Sequence, residues 1–300
     1  MRVFAGIVTI GSMLMLGALA GSEHWPFDAR EAAREQAQAA KLVHQPIYVT
    51  VKIGAGTPLR MVLIPAGTFM MGSPEAETSG GKPLGPRPNE WPQHKVTITH
   101  AFYLSVYKTT QEQFEEIMAT NPSKFPEKHN PVDGVIWDDA AAFCRKASEK
   151  SGKALHLPTE AQWEYAVRAG TATSYSFGAD ENQLPEYSWF HETSKGTTHP
   201  VGQKKPNAWG LFDVHGLTWE YCSDYYADSY QGSDSTDPVG PAVGTAHAVR
   251  GGAFGSRPMF VRSAIRMASP EASGGKDLLS RFGFRVAMDL PVVEAALVRR

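Results

Sequence analysis

Hydrophobic and polar positions change their period several times along this chain of 300 residues. After Arg2, residues 3–17 are almost uninterruptedly apolar or small, and Ala18-Leu19-Ala20 closes the run with the small-x-small pattern that a signal peptidase cuts. The reading is an export signal over residues 1–20, with a mature chain starting at Gly21 in a periplasmic or extracellular setting. An uncleaved membrane anchor competes with it, because an apolar stretch of about eighteen residues is marginally long enough to span a bilayer. Residues 28–45 are rich in Ala, Glu, Gln, Arg and Lys, with Asp28 placed to cap the first turn. That composition predicts an exposed helix or spacer with little apolar face, completed by a short strand over 47–53, so that residues 21–56 stand apart from the main domain.

Apolar runs on either side of Pro65-Ala66-Gly67 predict a hairpin over 61–73. Glycine and proline crowd residues 79–92 into a loop, and 95–99 alternates as a half-exposed strand. Helices are expected over 110–119, capped by Thr110, and over 138–151, with Phe143 and Cys144 on its buried side. A third begins at Thr159, with Gln162 as its capping-box partner. Glu160 and Glu164 lie one turn apart on it, with Arg168 a turn beyond. An ion-pair network explains that spacing better than acid and base catalysis does.

Residues 206–224 follow neither period, yet hold Trp209, Phe212, Trp219 and Tyr221 together with Asp213, Glu220 and Asp224. They predict a shaped, largely buried loop. Glu220, flanked by two aromatics, is too costly to bury without a cationic partner, which would be an arginine or a metal ion. His215 and His199 read as hydrogen-bonded histidines near turns rather than metal ligands.

Composition narrows the classes. Lys and Arg number 29 against 31 Asp and Glu, so no basic excess is present to neutralise phosphates, and nucleic acid is set aside as a partner. Apolar residues at 42% supply a real core. The two cysteines, Cys144 and Cys222, could form one disulfide or stand as buried thiols; spacing alone leaves both open.

The ordered motifs Phe69-Met70-Met71-Gly72-Ser73, Leu157-Pro158-Thr159-Glu160-Ala161-Gln162-Trp163-Glu164, Asn207-Ala208-Trp209-Gly210-Leu211, Trp219-Glu220, Val249-Arg250-Gly251-Gly252, Arg262-Ser263-Ala264 and Gly283-Phe284-Arg285 resemble the formylglycine-generating enzyme, or sulfatase-modifying factor, family. The resemblance spans residues 57–288 as one domain, leaving 289–300 as a tail. It implies a loop-rich α+β fold related to C-type lectins with limited regular secondary structure, bound calcium, and a copper-holding pair of cysteines that oxidises a sulfatase cysteine.

The chain departs from that pattern where the chemistry lies. Counting from Arg250-Gly251-Gly252, the cysteine positions fall on Ser256 and Val261, and neither offers a thiolate, so copper is not expected. Leu217 stands where the resemblance implies an asparagine ligand, which leaves Glu220 as the residue for a weak calcium site. Thr193 stands where related sequences carry asparagine, Lys108 where they tend to have glutamate, and Val286 where some have a cysteine. The segment 251–266 should line the cleft, with Arg257, Met259, Phe260, Arg262 and Trp219 as ligand contacts. Arg262 and Arg266 also suit a structural pairing with Glu220 or Asp224. The resulting expectation is an exported protein that binds a peptide or glycan, or assists assembly. Alternatives are a periplasmic oxidoreductase of the same family with altered chemistry, of the type that matures peptide-derived siderophores, and an atypical sulfatase maturation factor.

Overall fold

Asp28 begins the first described helix by accepting the backbone N–H groups of Arg30 and Glu31, both at 2.9 Å, and the helix runs Ala29–Leu42. The computed structural model describes residues 25–290, apart from 80–81, 84–86, 231, 233, 271–272 and 274. The export signal, the start at Gly21 and most of the 289–300 tail lie outside the described residues. The helix is not an exposed spacer. Ala32 and Gln36 are buried on it; the Gln36 amide donates to the Leu63 carbonyl at 2.8 Å, and the Trp209 indole donates to the Ala32 carbonyl at 3.0 Å. Its contact face is built from small alanines, Ala32, Ala39 and Ala40, and a hydrogen-bonded glutamine rather than from large apolar side chains, so composition hid the docking.

Mixed helices and strands with long connections give the expected loop-rich α+β architecture. The main sheet places its strands in the order Tyr48–Val51, Leu59–Ile64, Phe102–Ser105, Ala287–Asp289 and Leu155–His156, all neighbours antiparallel. A second sheet runs Ser235–Thr236, His94–Ile98, Gly67–Met71. The expected hairpin over 61–73 is therefore absent. Leu59–Ile64 and Gly67–Met71 are strands, but the chain passes from one sheet to the other at Pro65-Ala66, and each strand finds its partners at a distance.

The third sheet, in the order Arg266–Ala268, His247–Arg250, Trp219–Tyr225, Phe282–Gly283, corrects the reading of 206–224 as one loop. Residues 206–218 are irregular, but Trp219–Tyr225 is an interior strand. Both of its faces are largely buried, and that burial is why it lacks alternation.

Helix starts follow local chemistry closely. Thr110 and Gln113 form a capping box on Gln111–Met118, and Thr159 and Gln162 form another on Glu160–Arg168. The helix Trp137–Ser151 turns Ala140, Phe143, Cys144 and Ala147 inward. Cys144 packs in one core cluster with Phe143, Phe284 and Val286; Cys222 packs in another with Trp163, Trp209 and Leu211. Both are free thiols, so the second of the two open readings holds.

Candidate functional site

Glu220, fully buried on the interior strand, has its charge met from three directions. The Lys108 ammonium contacts Oε1. Arg285 holds Oε2 through Nε at 2.5 Å and Oε1 through Nη2 at 3.0 Å, and the Trp163 indole donates to Oε2 at 2.8 Å. Burial alone would raise this carboxyl, yet Arg285 and Lys108 together hold it at about 2. Burial pushes the Lys108 ammonium down to about 8 against the pull of Glu220. Arg262 and Arg266 pair with other carboxylates, not with Glu220 or Asp224, which corrects the expected pairing. The fit to calcium is poor. Thr218 O accepts from Lys108 at 2.9 Å, both Glu220 oxygens already face cations, and Leu217 offers a fully buried hydrocarbon. An ion that wants six to eight oxygens finds these donors taken. At the second position in question, the Thr193 hydroxyl donates to Ser188 O at 3.0 Å and accepts from Phe190 N at 3.1 Å, closing a turn on itself.

The remaining arginines belong to a second set of buried pairs. Arg266 grips Glu160 with Nε at 2.6 Å and Nη2 at 2.8 Å, while Arg250 contacts both Glu160 and Glu164, and Arg168 completes Glu164. The carboxylates spaced one turn apart are thus the ion-pair network expected of them, although both are buried rather than on a surface. Arg262 is fully buried too. Its guanidinium holds Glu90 and Glu77, so it presents no group to an outside ligand. Trp219 is 6% exposed and packs in the core with Tyr221 and Phe282, which also removes it from a cleft wall.

The segment after Arg250-Gly251-Gly252 makes a tight outward turn. Gly252 has φ +77, and a Cβ there would stand 2.3 Å from the Phe260 carbonyl, so only glycine lets the returning chain pass. Ser256 is half-buried; its hydroxyl accepts the Ala253 N–H at 3.0 Å. Val261 is fully buried against Tyr175, Leu184 and Phe190. Between them, the single helical turn Pro258–Phe260 leaves Arg257 and Phe260 exposed and Met259 half-buried. Of the expected ligand-contact and cysteine-replacement positions, these three and Ser256 share one surface turn, whereas Trp219, Val261 and Arg262 belong to the interior.

Both histidines are hydrogen-bonded, as their context suggests. The Nδ1–H of His215 donates to Val261 O at 2.8 Å, which leaves Nε2 to accept from the Ser176 N–H at 3.1 Å and to meet the Ser176 hydroxyl at 2.9 Å. Burial pushes His215 down to about 4. His199 hydrogen-bonds Ser194 O at 2.8 Å and stacks on Trp189. Beside Ser176 opens a cavity of about 650 Å³, walled by Phe27, Phe177, Tyr187 and Pro206, for which the sequence carried no signal. Its polar walls are already engaged. Thr171, Thr173 and Ser176 spend their hydroxyls internally, and the Asn207 amide makes four bonds to backbone groups. In the sequence Lys108 stands out only as a lysine where related sequences tend to have glutamate, which does not name Glu220 as its partner.

Residues 52–290 match the sulfatase-modifying factor enzyme 1-like domain. The chain is 34% identical over 180 residues to the formylglycine-generating enzyme of Streptomyces coelicolor, covering 54% of this chain and 53% of that protein. It is 30% identical over 259 residues to the serine/threonine-protein kinase pkn1 of Chlamydia pneumoniae, covering 77% of this chain and 38% of that one. It thus spans about half the length of these relatives or less. Among solved structures, variable protein 1 of Treponema denticola superposes with a TM-score of 0.71 at 26% identity, over 82% of this chain and all of that one. PvdO from Pseudomonas aeruginosa does so with a TM-score of 0.70 at 28% identity, with the same coverage.

Proposed function

The chain belongs to the sulfatase-modifying factor family, that of the formylglycine-generating enzymes, and from that premise we propose that it is an exported, non-catalytic member that binds a peptide. The observation that carries this reading is the state of the two positions where the family resemblance puts cysteines. Ser256 offers a hydroxyl already engaged with Ala253 N, and Val261 a hydrocarbon closed off by Tyr175, Leu184 and Phe190. The chain's own thiols, Cys144 and Cys222, are buried in separate clusters and cannot stand in for them. Soft thiolate ligation of copper is thereby without donors.

A binding surface remains. The turn bearing Arg257, Met259 and Phe260 connects to the cavity through Tyr175, whose ring stacks on Phe177 of the wall and whose hydroxyl donates to Pro258 O at 3.2 Å. An aromatic cavity whose polar groups are satisfied internally accepts an apolar side chain more readily than a sugar, which needs free donors and acceptors. Peptide is therefore favoured over glycan, with Arg257 placed to meet an acidic neighbour.

Screening the purified full chain against peptide and glycan arrays tests this. Peptides carrying a large apolar residue beside an acid should be retained, and the variants Phe177→Ala and Arg257→Glu should weaken them. Retention of glycans alone, or copper-dependent conversion of a cysteine peptide to its aldehyde, would overturn the reading. The similarity to PvdO favours one further reading, a family enzyme with altered chemistry; stoichiometric copper or iron in the purified protein would support it.

A further inference from the structure

The small hydroxyls that line the cavity beside Phe177 all donate their protons to the protein. Thr171 Oγ1 donates to Arg168 O at 2.9 Å and Thr173 Oγ1 to Tyr175 O at 2.8 Å. Ser176 Oγ lies 2.9 Å from His215 Nε2, which accepts because the Nδ1–H is given to Val261 O. What these three groups still offer a ligand is oxygen lone pairs. Asn207 has both amide protons and both carbonyl lone pairs engaged, so among the described residues on the lining the Tyr187 hydroxyl is the one side-chain donor left. Asp28, also on the lining, adds a carboxylate. Its Oδ1 takes the N–H groups of Arg30 and Glu31, and among the described residues nothing bonds Oδ2. The Phe27 N–H meets Gly170 O at 2.8 Å, which sets Asp28 and Thr171 one residue from that bond on either segment. No lysine, arginine or histidine lines the cavity among the described residues.

Side chains that accept far more than they donate select a ligand that donates, and the one formal charge among them selects a positive one. The remaining walls, Phe27, Phe177 and Pro206, call for hydrocarbon. We propose that the side chain this cavity takes from a peptide is a lysine, its methylenes against the apolar walls and its ammonium toward Asp28 and the threonine oxygens; the inference rests on reading the cavity as the peptide's docking point. Lysine suits the site because its three protons rotate freely to meet whichever lone pairs are open. Asp28 is exposed and Thr171 and Thr173 are half-buried, so the ammonium keeps part of its water and the cost of desolvation stays limited. The helix that begins at Ala29 brings a partial positive charge to this rim, but Asp28 carries a full negative one. Just outside the cavity the chain already shows the same pairing: Lys205 Nζ lies 5.7 Å from the centroid of the Tyr187 ring, held by Glu186.

The test titrates three capped dipeptides, acetyl-Asp-Xaa-amide with lysine, norleucine or Nε-acetyllysine as Xaa, onto the full chain by ligand-observed NMR; the common acid makes any contact with Arg257 the same in all three. The lysine peptide should bind about tenfold more tightly than either neutral analogue. Asp28→Asn keeps a good helix cap but loses the charge, and it should bring the lysine peptide down to the norleucine level. Thr173→Val should lower it in the same direction by less. Norleucine binding as tightly as lysine would overturn this inference and leave the peptide reading in place. A lysine preference that survives both variants would put the ammonium elsewhere and overturn the site. Failure of all three dipeptides to bind overturns it too, and the peptide array then decides whether the peptide reading falls with it.

Discussion

Arg262 clasps Glu90 across 172 positions of sequence, its Nη2 lying 2.7 Å from each carboxylate oxygen. Nη1 of the same guanidinium holds Glu77 at 2.6 Å and the Ser73 hydroxyl at 3.1 Å, with all of Arg262 and Glu90 out of water. Planar, forked contact of this kind ties the 73–90 region to the segment that follows the surface turn. A residue expected on the ligand side of a cleft is instead a strut behind it.

Arg262→Met should therefore destabilise the fold by about 2–4 kcal/mol, because the buried Glu90 loses its two closest cationic contacts and keeps only Arg87 at 3.8 Å and the Ser73 hydroxyl. Urea unfolding measures this. A variant of unchanged stability that loses only ligand binding would return Arg262 to the binding surface.

The thiols make a second expectation. Burial pushes Cys144 up to about 12 and Cys222 well above the ordinary thiol range, so neither supplies a thiolate near neutrality. An aromatic disulfide reagent should find no reactive thiol in the native protein and both cysteines after unfolding in denaturant. One disulfide found by mass spectrometry under non-reducing conditions would contradict the separation of the two cores.

What the sequence disclosed, and what it hid, divides along sequence distance. Capping boxes at Thr110 and Thr159 are local, because each needs only a partner three residues on, and both are present as read. The need of Glu220 for a cation was equally legible, since two flanking aromatics make a bare carboxylate expensive. Its partners were not. Lys108 is 112 positions away and Arg285 65, and the fold chose them over Arg262, which motif order had made the nearer candidate. The strand Trp219–Tyr225 was hidden for a related reason: burial on both faces erases the alternation by which a strand is recognised. Gln36 shows the converse case, a polar residue that docks a helix by hydrogen bonding.

That docking is measurable. Gln36→Ala removes donors to Leu63 O at 2.8 Å and Trp209 O at 3.3 Å inside a buried contact. A loss of about 1–3 kcal/mol is expected, against a few tenths for an exposed glutamine on a free spacer. Equal stability of the variant and the parent would mean that Ala29–Leu42 does not pack on the domain in solution.

The last expectation concerns pH. Burial, and next to it the charge of Glu160, pushes the Asp224 carboxyl up to about 7, and burial pushes Asp133 up to about 6. Each folded value lies above the ordinary aspartate value of 3.8, so the folded state holds more protons than the unfolded chain between those limits. Stability from these two groups is complete below about pH 4 and is lost as pH rises through about 6 to 7. Glu220 works in the opposite direction. Held at about 2, it contributes stability above its ordinary value of 4.5 that is lost as pH falls toward 2. The two slopes cross on the acid side of neutrality, which puts the combined maximum from these groups at about pH 4 to 5. Asp224→Asn keeps an acceptor for the Glu160 N–H, now bound at 2.9 Å, but has no proton to lose. Its unfolding free energy should fall less between about pH 4.5 and about pH 7.5 than that of the parent, the difference being on the order of a few kcal/mol. Parallel pH profiles for the two proteins would show that Asp224 does not titrate in this window, and that the Glu160 N–H and the Ser223 hydroxyl leave its charge better solvated than its burial implies.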